Sequence, residues 1–375
     1  MKPLTLRAAY EAVGNRGPGF EMLRLVAASA VVLHHSMKIE HDIVRDDWIF
    51  EFSGGYTQLG LLAVSVFFAL SGFLITPGLV KSGNVIGYLS RRFMRIMPLL
   101  VTVVVVTALV VGPIFSSLSL AEYFTSAQTW KYLQTITTFL SLQLPGVVDY
   151  DGGDTINGPI WTLHFEWMCY LLLAALAFVG VLRNRWLFLA IYLAAVLTLT
   201  FGIGPIPGDE QRGRLFLFLF LFSYFGAGVL IQLFNDKLYW SRLLMLAALV
   251  GLVASYNAGG TVFAGGPYLI APFFTAYLVV GIGLLKFPET PLTTGVDLSY
   301  GVYLTHSVIL MMLLNLYPFT SLWVVFALCL PLSYLVAFVS WKLVEAPALE
   351  HKEWPERLAR GLIWRVFPKK KADAA

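Results

Sequence analysis

The feature that most constrains this chain is a succession of apolar runs, each close to the length a helix needs to cross a bilayer. About 20 apolar residues span the hydrocarbon core. Ten segments meet or approach that length: 21–38, 57–79, 96–115, 159–181, 186–203, 215–234, 242–257, 267–285, 299–315 and 320–343. The chain is 58% hydrophobic and only 13% charged. A soluble fold of 375 residues could not hide that much apolar surface. The expected fold is therefore an all-α integral membrane protein, with about ten transmembrane helices around a central passage. The expected organisation is a cytoplasmic segment over 1–20, a membrane domain over 21–345 and a basic tail over 346–375.

An even number of spans places both termini on one side, and the basic residues say which side. Twenty of the 26 Lys and Arg fall on the side of the termini. The opposite loops carry Lys38, Arg45, Lys131, Arg212 and Arg214, and Arg24 lies inside the first segment. Basic residues favour the cytoplasm, so both termini are expected inside. The tail mixes Leu358, Leu362 and Phe367 with Arg357, Arg360 and Lys369–Lys371. It is either an amphipathic helix on an anionic leaflet or a solvated tail. No cleavable signal peptide is expected, because a polar stretch precedes the first apolar run. Cys169 and Cys329 stand alone in apolar runs, so no cysteine framework or metal site is expected. No nucleic-acid partner is expected either. Oligomeric state is not legible.

The first segment, LRLVAASAVVLHHS over 23–36, carries an arginine at one end and two imidazoles at the other. Eleven helical steps separate Arg24 from His35. They make three turns plus about 20°, with a rise of about 16 Å, so both residues share a face. Ala27, Ala28 and Val31 lie between them and leave room for a narrow passage. His34 points about 100° away and reads as the structural one of the pair. An ionisable side chain inside a membrane is costly and faces a cavity or a partner. Histidine titrates near neutrality and can take a proton from a hydroxyl. The plainer alternative puts both histidines at the outer interface of a short helix.

Further stretches add to this one: FFALSGFLI (67–75), RRFMRIMP (91–98), IWTLHFEWMCYLL (160–172), LSYGVYLTH (298–306) and LVEAP (343–347). With Arg24 and His35 they resemble acyltransferase family 3, multispanning membrane enzymes that typically O-acetylate surface or secreted carbohydrates. The resemblance runs from about residue 18 to 348, in the stand-alone form without a C-terminal extracellular domain. It implies acetyl-CoA, or another acyl-CoA, as a cytoplasmic donor and no metal. It also implies a carbohydrate acceptor, possibly lipid-linked, and a bacterial inner-membrane location. One departure stands out: many members carry an acid where this chain has Ser65.

By that resemblance, His35, Arg24 and Glu166 are expected to be catalytic. Arg91, Arg92 and Arg95, with Tyr300, His306 and Glu345, are expected at the donor site. Arginine forks suit phosphates, and Arg91 and Arg95 share a face at i, i+4; any cytoplasmic loop carries such charges for topology as well. Glu166 either pairs with a cation or locks helices together, and His306 is either a donor-site or a structural residue. On the opposite side, Asp149, Asp151, Trp161 and His164 are expected to meet the acceptor, since carboxylates bind sugar hydroxyls and aromatic faces cover their CH patches. Asp42, Asp46, Asp47, Trp48, Asp154 and Asn157 belong to the same polar loops, which also read as ordinary turns. Whether transfer is direct or passes through an acyl-enzyme is open. A transporter or flippase using Arg24, His35 and Glu166 remains the rival from another class. An acyltransferase for lipid or peptide hydroxyls is the rival enzyme.

Overall fold

A computed structural model describes residues 4–15, 17–37, 47–137, 139–147, 155–202, 213–257, 266–288, 290, 295–317 and 321–366. Within them all regular structure is helical, apart from one isolated antiparallel bridge between Thr5 and Tyr239. The helices are α1 (Leu6–Ala12), α2 (Pro18–Ser36), α3 (Trp48–Phe52), α4 (Leu59–Ser82), α5 (Val85–Phe115), α6 (Leu120–Thr125), α7 (Ala127–Tyr132) and α8 (Trp161–Phe178). They continue with α9 (Arg185–Leu197), α10 (Gly213–Leu233), α11 (Arg242–Asn257), α12 (Gly266–Gly283), α13 (Ser299–Leu316), α14 (Leu322–Ser340), α15 (Ala346–Glu350) and α16 (Trp354–Val366).

Each of the ten expected apolar segments falls on a helix. Among the described residues, six stretches are both long and apolar enough to cross a membrane: Leu59–Ser82, Val85–Phe115, Gly158–Phe178, Gly213–Leu233, Ser299–Leu316 and Leu322–Gly361. Shorter apolar helices cover Arg185–Phe201, Arg242–Tyr256 and Tyr268–Gly283, and α2 has 19 residues. Phe178, Ile114, Leu243 and Leu335 are exposed on outward faces. Such a surface fits lipid rather than water. The chain is an integral membrane protein built entirely from helices.

The helix ends follow local chemistry. Pro18 begins α2, where its missing N–H costs nothing. The Asn84 side chain accepts from Gly87 N and starts α5. Gly83 takes a left-handed φ of 61° and stops α4. The third apolar run therefore begins earlier than its hydropathy suggests, and the arginines of RRFMR lie two turns inside α5. A π-turn at Trp341–Glu345 joins α14 to α15.

Both terminal helices fold back on one end of the bundle. Tyr10 of α1 packs edge-on against Phe73, 5.1 Å between centroids, and against Phe20 at the start of α2. In α16, Glu356 accepts from the Asn84 side chain at the α4–α5 turn, at 2.8 Å. At the opposite end, His34 of α2 sits against Gly60 of α4. The two helices are thus antiparallel, and the first residues of α2 lie at the same end as the last of α4.

The tightest crossing is α4 on α10. A Cβ added at Gly72 would lie 2.0 Å from Phe225 O, and one at Gly228 would lie 2.1 Å from Ala69 O. Backbones approach this closely only over glycine, the small-residue packing that membrane helices use in place of a hydrophobic drive. Gly78, on the same helix, has nothing within 4 Å. Gly72→Ala should therefore lower stability by about 1–3 kcal/mol through overpacking. Gly78→Ala should be neutral or stabilise by up to about 1 kcal/mol. Thermal unfolding of detergent-purified variants measures both. Equal melting of Gly72→Ala and the parent protein would show that the crossing is looser than described.

Candidate active site

Charged residues inside an apolar bundle need partners, and five of them find one another at the end of the bundle where α1 and α16 fold back. Asp297 lies two residues ahead of α13 and bonds its first residue: its Oδ1 accepts from Ser299 N (3.3 Å) and Ser299 Oγ (2.6 Å). Its Oδ2 accepts from Arg95 Nη2 at 2.6 Å and from Arg24 Nη1 at 3.3 Å. Arg95 Nη1 donates to Glu345 Oε2 at 2.6 Å. Glu345 is buried in the π-turn and also accepts from Ser340 Oγ at 3.3 Å. Glu21 flanks Arg24 at 3.6 Å. The Arg95 guanidinium also lies over the Tyr300 ring, 5.1 Å from its centroid, while the Tyr300 hydroxyl donates to Ile96 O at 2.8 Å. Burial by itself would raise the Asp297 carboxyl, but Arg95 and then Arg24 outweigh it and hold it at about 2.

Beside this cluster opens a cavity with about 680 Å³ of empty space, part of it open to solvent. Arg24, Arg92, Arg95, Asp297, Tyr300 and Glu166 line it, together with Ser71, Thr162, Tyr170 and Tyr303. Six sequence-expected or newly found polar groups from α2, α5, α8 and α13 therefore face one space. Glu166 accepts from the Tyr170 hydroxyl one turn along α8. Arg92 lies 5.9 Å from the centroid of the Tyr170 ring. Among the described residues Arg92 makes no ion pair, so its guanidinium is available to an anion. Arg91 is not part of the lining. Its charge lies within electrostatic reach of Glu356, whose hydrogen-bond partners are Asn84 and Arg360.

The histidines stand further along α2 and α13. His35 Nδ1 lies 2.9 Å from Val31 O and 3.2 Å from His306 Nε2. His306 is fully buried, with its ring 5.0 Å from that of His35. Tyr303 connects this pair to the cavity: its ring is 6.2 Å from His306 and 5.8 Å from Phe67. The Tyr303 hydroxyl shares a 2.7 Å bond with Thr162 and lies 3.1 Å from Pro159 O.

His34 lies outside the cavity lining. Its Nδ1 bonds Asp47 Oδ2 at 2.8 Å, and both residues are buried. Asp47 also accepts from Ile49 N, Phe50 N and Leu59 N, tying α3 to the start of α4. Burial raises the Asp47 carboxyl less than His34 and these amides lower it, so it sits below its ordinary value. Asp47 is thus a buried anchor, not an open sugar ligand. Trp161 packs its ring edge-on against Phe165 at 5.7 Å, and His164 does so at 5.4 Å; neither lines the cavity. Asp149 and Asp151 lie outside the described residues, as do Asp42, Asp46 and Asp154. Asn157 is buried and donates to Leu304 O at 2.9 Å. Ser65 is buried and donates to Leu61 O at 2.8 Å. Among the described residues no group of three or more His, Cys, Asp or Glu could hold a metal ion.

Sequence reading missed Asp297, the hub of the charged cluster. The signal was there: an acid two residues ahead of Ser299, just before an apolar run, is a helix-capping pattern.

An arginine-rich cavity, part of it open to solvent, with a histidine pair beyond one of its wall residues, Tyr303, inside an apolar bundle is the arrangement of a membrane group-transfer enzyme. The sequence profile described as an acyltransferase domain matches residues 18–342, and the chain belongs to that acyltransferase family. Curated relatives include an O-acetyl transferase of Shigella phage Sf6, 29% identical over 346 residues, covering 87% of this chain and 94% of the relative. Nodulation protein 10 of Rhizobium leguminosarum bv. viciae is 26% identical over 364 residues, 90% of this chain and 94% of its own. Acyltransferase MdmB of Streptomyces mycarofaciens is 30% identical over 199 residues, about half of each chain. No solved structure matches the chain.

Asp297 carries a test of the cluster. Its carboxyl is held below the ordinary 3.8, so its contribution is complete above that pH and is lost as pH falls through about 2. Asp297→Asn removes the shared acceptor of two guanidiniums, at a cost of about 1.5–3 kcal/mol near neutrality. The variant should melt lower at pH 7, and the gap to the parent protein should close as pH is taken toward 2. A gap that does not depend on pH would show that the carboxylate charge is not what matters.

Proposed function

We propose that this protein moves an acetyl group from cytoplasmic acetyl-CoA to a hydroxyl of a surface or secreted glycan, or of its lipid-linked precursor, in a bacterial cytoplasmic membrane. The observation that carries this reading is one cavity that gathers Arg24, Arg92 and Arg95, with Tyr303 in its wall packed against His306, which in turn contacts His35. Kinship to an O-acetyl transferase supports the acetyl group. CoA phosphates meet Arg92 first, since its fork is not engaged by carboxylates, and Arg24 lies at the same opening. The rise of about 16 Å from Arg24 to His35 is of the order of an extended pantetheine arm. The thioester then lies near His35. There the acceptor oxygen attacks the thioester carbonyl while His35 takes its proton. The C–S bond breaks, and the departing thiolate recovers that proton from His35. The Tyr170 ring lies under Arg92, and Glu166 accepts from the Tyr170 hydroxyl and so fixes that ring in the cavity wall. Asp149, Asp151, Trp161 and His164 are proposed to receive the acceptor on the far side, and His306, Tyr300 and Glu345 to shape the passage.

Radiolabelled acetyl-CoA incubated with purified protein and glycan acceptors should pass label into glycan. His35→Ala should abolish transfer while still inserting, and His34→Ala should reduce it less. Transport of solute without label transfer would overturn the reading. Arg92→Lys keeps the charge but loses the fork. It should weaken acetyl-CoA binding by about 1.5–3 kcal/mol, roughly a 10- to 150-fold rise in Kd by calorimetry. Unchanged affinity would assign Arg92 to topology alone.

Orientation has its own test. In a background lacking Cys169 and Cys329, a cysteine at Asp151 should react with an impermeant thiol reagent on intact cells. One at Ser82 should react only after permeabilisation. The reverse pattern would turn the donor site to the wrong side of the membrane.

A further inference from the structure

Ring nitrogens of a neutral histidine have opposite roles: one carries the proton and the other the lone pair. Which is which follows from the partners. His306 Nδ1 lies 2.8 Å from Tyr303 O and 3.1 Å from Val302 O. Carbonyl oxygens only accept, so this nitrogen carries the proton. The His306 lone pair is therefore on Nε2, and Nε2 lies 3.2 Å from His35 Nδ1. His35 Nδ1 also faces Val31 O at 2.9 Å. Both of its neighbours accept, so His35 Nδ1 carries the proton and shares it between them. The lone pair of His35 is left on Nε2.

We infer that His306 is a positioning residue for His35: the two backbone carbonyls fix its tautomer, and its Nε2 in turn holds His35 in the tautomer whose Nε2 is the base. The inference rests on the reading of His35 as the base under Proposed function, and it deepens that reading by naming the nitrogen and the group that sets it. When His35 Nε2 accepts the hydroxyl proton, an imidazolium forms, and its Nδ1–H strengthens its bond to the His306 lone pair. His306 stays neutral throughout and neither gains nor loses a proton. Its part is that of the carboxylate behind the histidine of a hydrolytic triad, performed by an uncharged acceptor.

The pair has a spectroscopic signature that a merely structural histidine would not give. The chain has six histidines, few enough to assign by substitution in protein labelled with 15N-histidine. In the parent protein His35 should show a protonated Nδ1 and an unprotonated Nε2. His306→Gln keeps an acceptor near the position of Nε2. It should preserve that pattern and most of kcat. His306→Leu removes the acceptor. It should relax the tautomer preference and lower kcat about 10- to 100-fold, a larger effect than any on the acetyl-CoA KM. A proton on Nε2 of His35 in the parent protein would overturn the inference, and that spectrum needs no variant to fold. So would a His306→Leu protein with the parent tautomer and turnover. Full activity of His35→Ala would instead remove the base reading, and the spectrum would still report the tautomer by itself.

Discussion

The structure depends on one carboxylate shared by two guanidiniums. Asp297 accepts from Arg95 and Arg24, and Arg95 reaches on to Glu345. An unpaired charge in a low-dielectric interior costs several kcal/mol, and removing one partner of a buried pair is penalised for the same reason. Each member of the cluster thus fixes the helix that carries it. Arg24 fixes the first turns of α2, Arg95 the turn of α5 that follows its arginine pair, Asp297 the start of α13, and Glu345 the π-turn beyond α14. Four elements far apart in sequence meet at one point because their charges have nowhere else to go. The π-turn is part of this fit, since the extra residue in that turn sets the direction in which Glu345 leaves the helix.

This mutual neutralisation changes the meaning of an arginine-rich mouth. Three acids, Glu21, Asp297 and Glu345, are set against Arg24 and Arg95. The cluster has no surplus positive charge to offer a phosphate. Arg92 has one, with an aromatic ring rather than a carboxylate beneath it. Two arginines three residues apart on one helix thus have separate duties, one holding the bundle and one facing the cavity with its fork open.

How much of this was legible in the sequence follows from which interactions are local. All ten apolar runs became helices, because length and hydropathy are properties of the runs themselves. The shared face of Arg24 and His35 is also local, a matter of 100° steps, and so is the separation of His34 from His35. The i, i+4 pairing of Arg91 with Arg95 was sound helical geometry. That Arg92 and Arg95 line the cavity while Arg91 does not depends instead on which elements pack around α5, and no periodicity encodes that packing. His306 reads as an isolated polar residue in an apolar run until α2 is laid against α13. Asp297 was readable as an acid at a helix start, but its partners on α2 and α5 were not. Asp47 illustrates the converse: an acid in a polar loop looks solvent-exposed in sequence, and only the fold brings His34 and three amides onto it.

The two polar clusters differ in a way that matches their depth. Formal charges sit at the end where the terminal helices pack, paired or near the opening. Further along the bundle the polar groups are hydroxyls and imidazoles: Tyr303, Thr162, His35 and His306. A carboxylate placed behind His35 to orient it would have to be buried among apolar helices, with the desolvation cost that Asp297 meets only by taking two guanidiniums. An imidazole whose Nδ1–H is already satisfied by backbone carbonyls presents a lone pair in the same direction without that cost. The carbonyls of Val302 and Tyr303 are available because a helix carbonyl can accept a second bond from a side chain three or four residues on. On the proposed reading of His35 as base, the helix backbone thus supplies the orienting polarity that a soluble enzyme takes from an acid, and that base operates deep in the bundle with no carboxylate buried behind it.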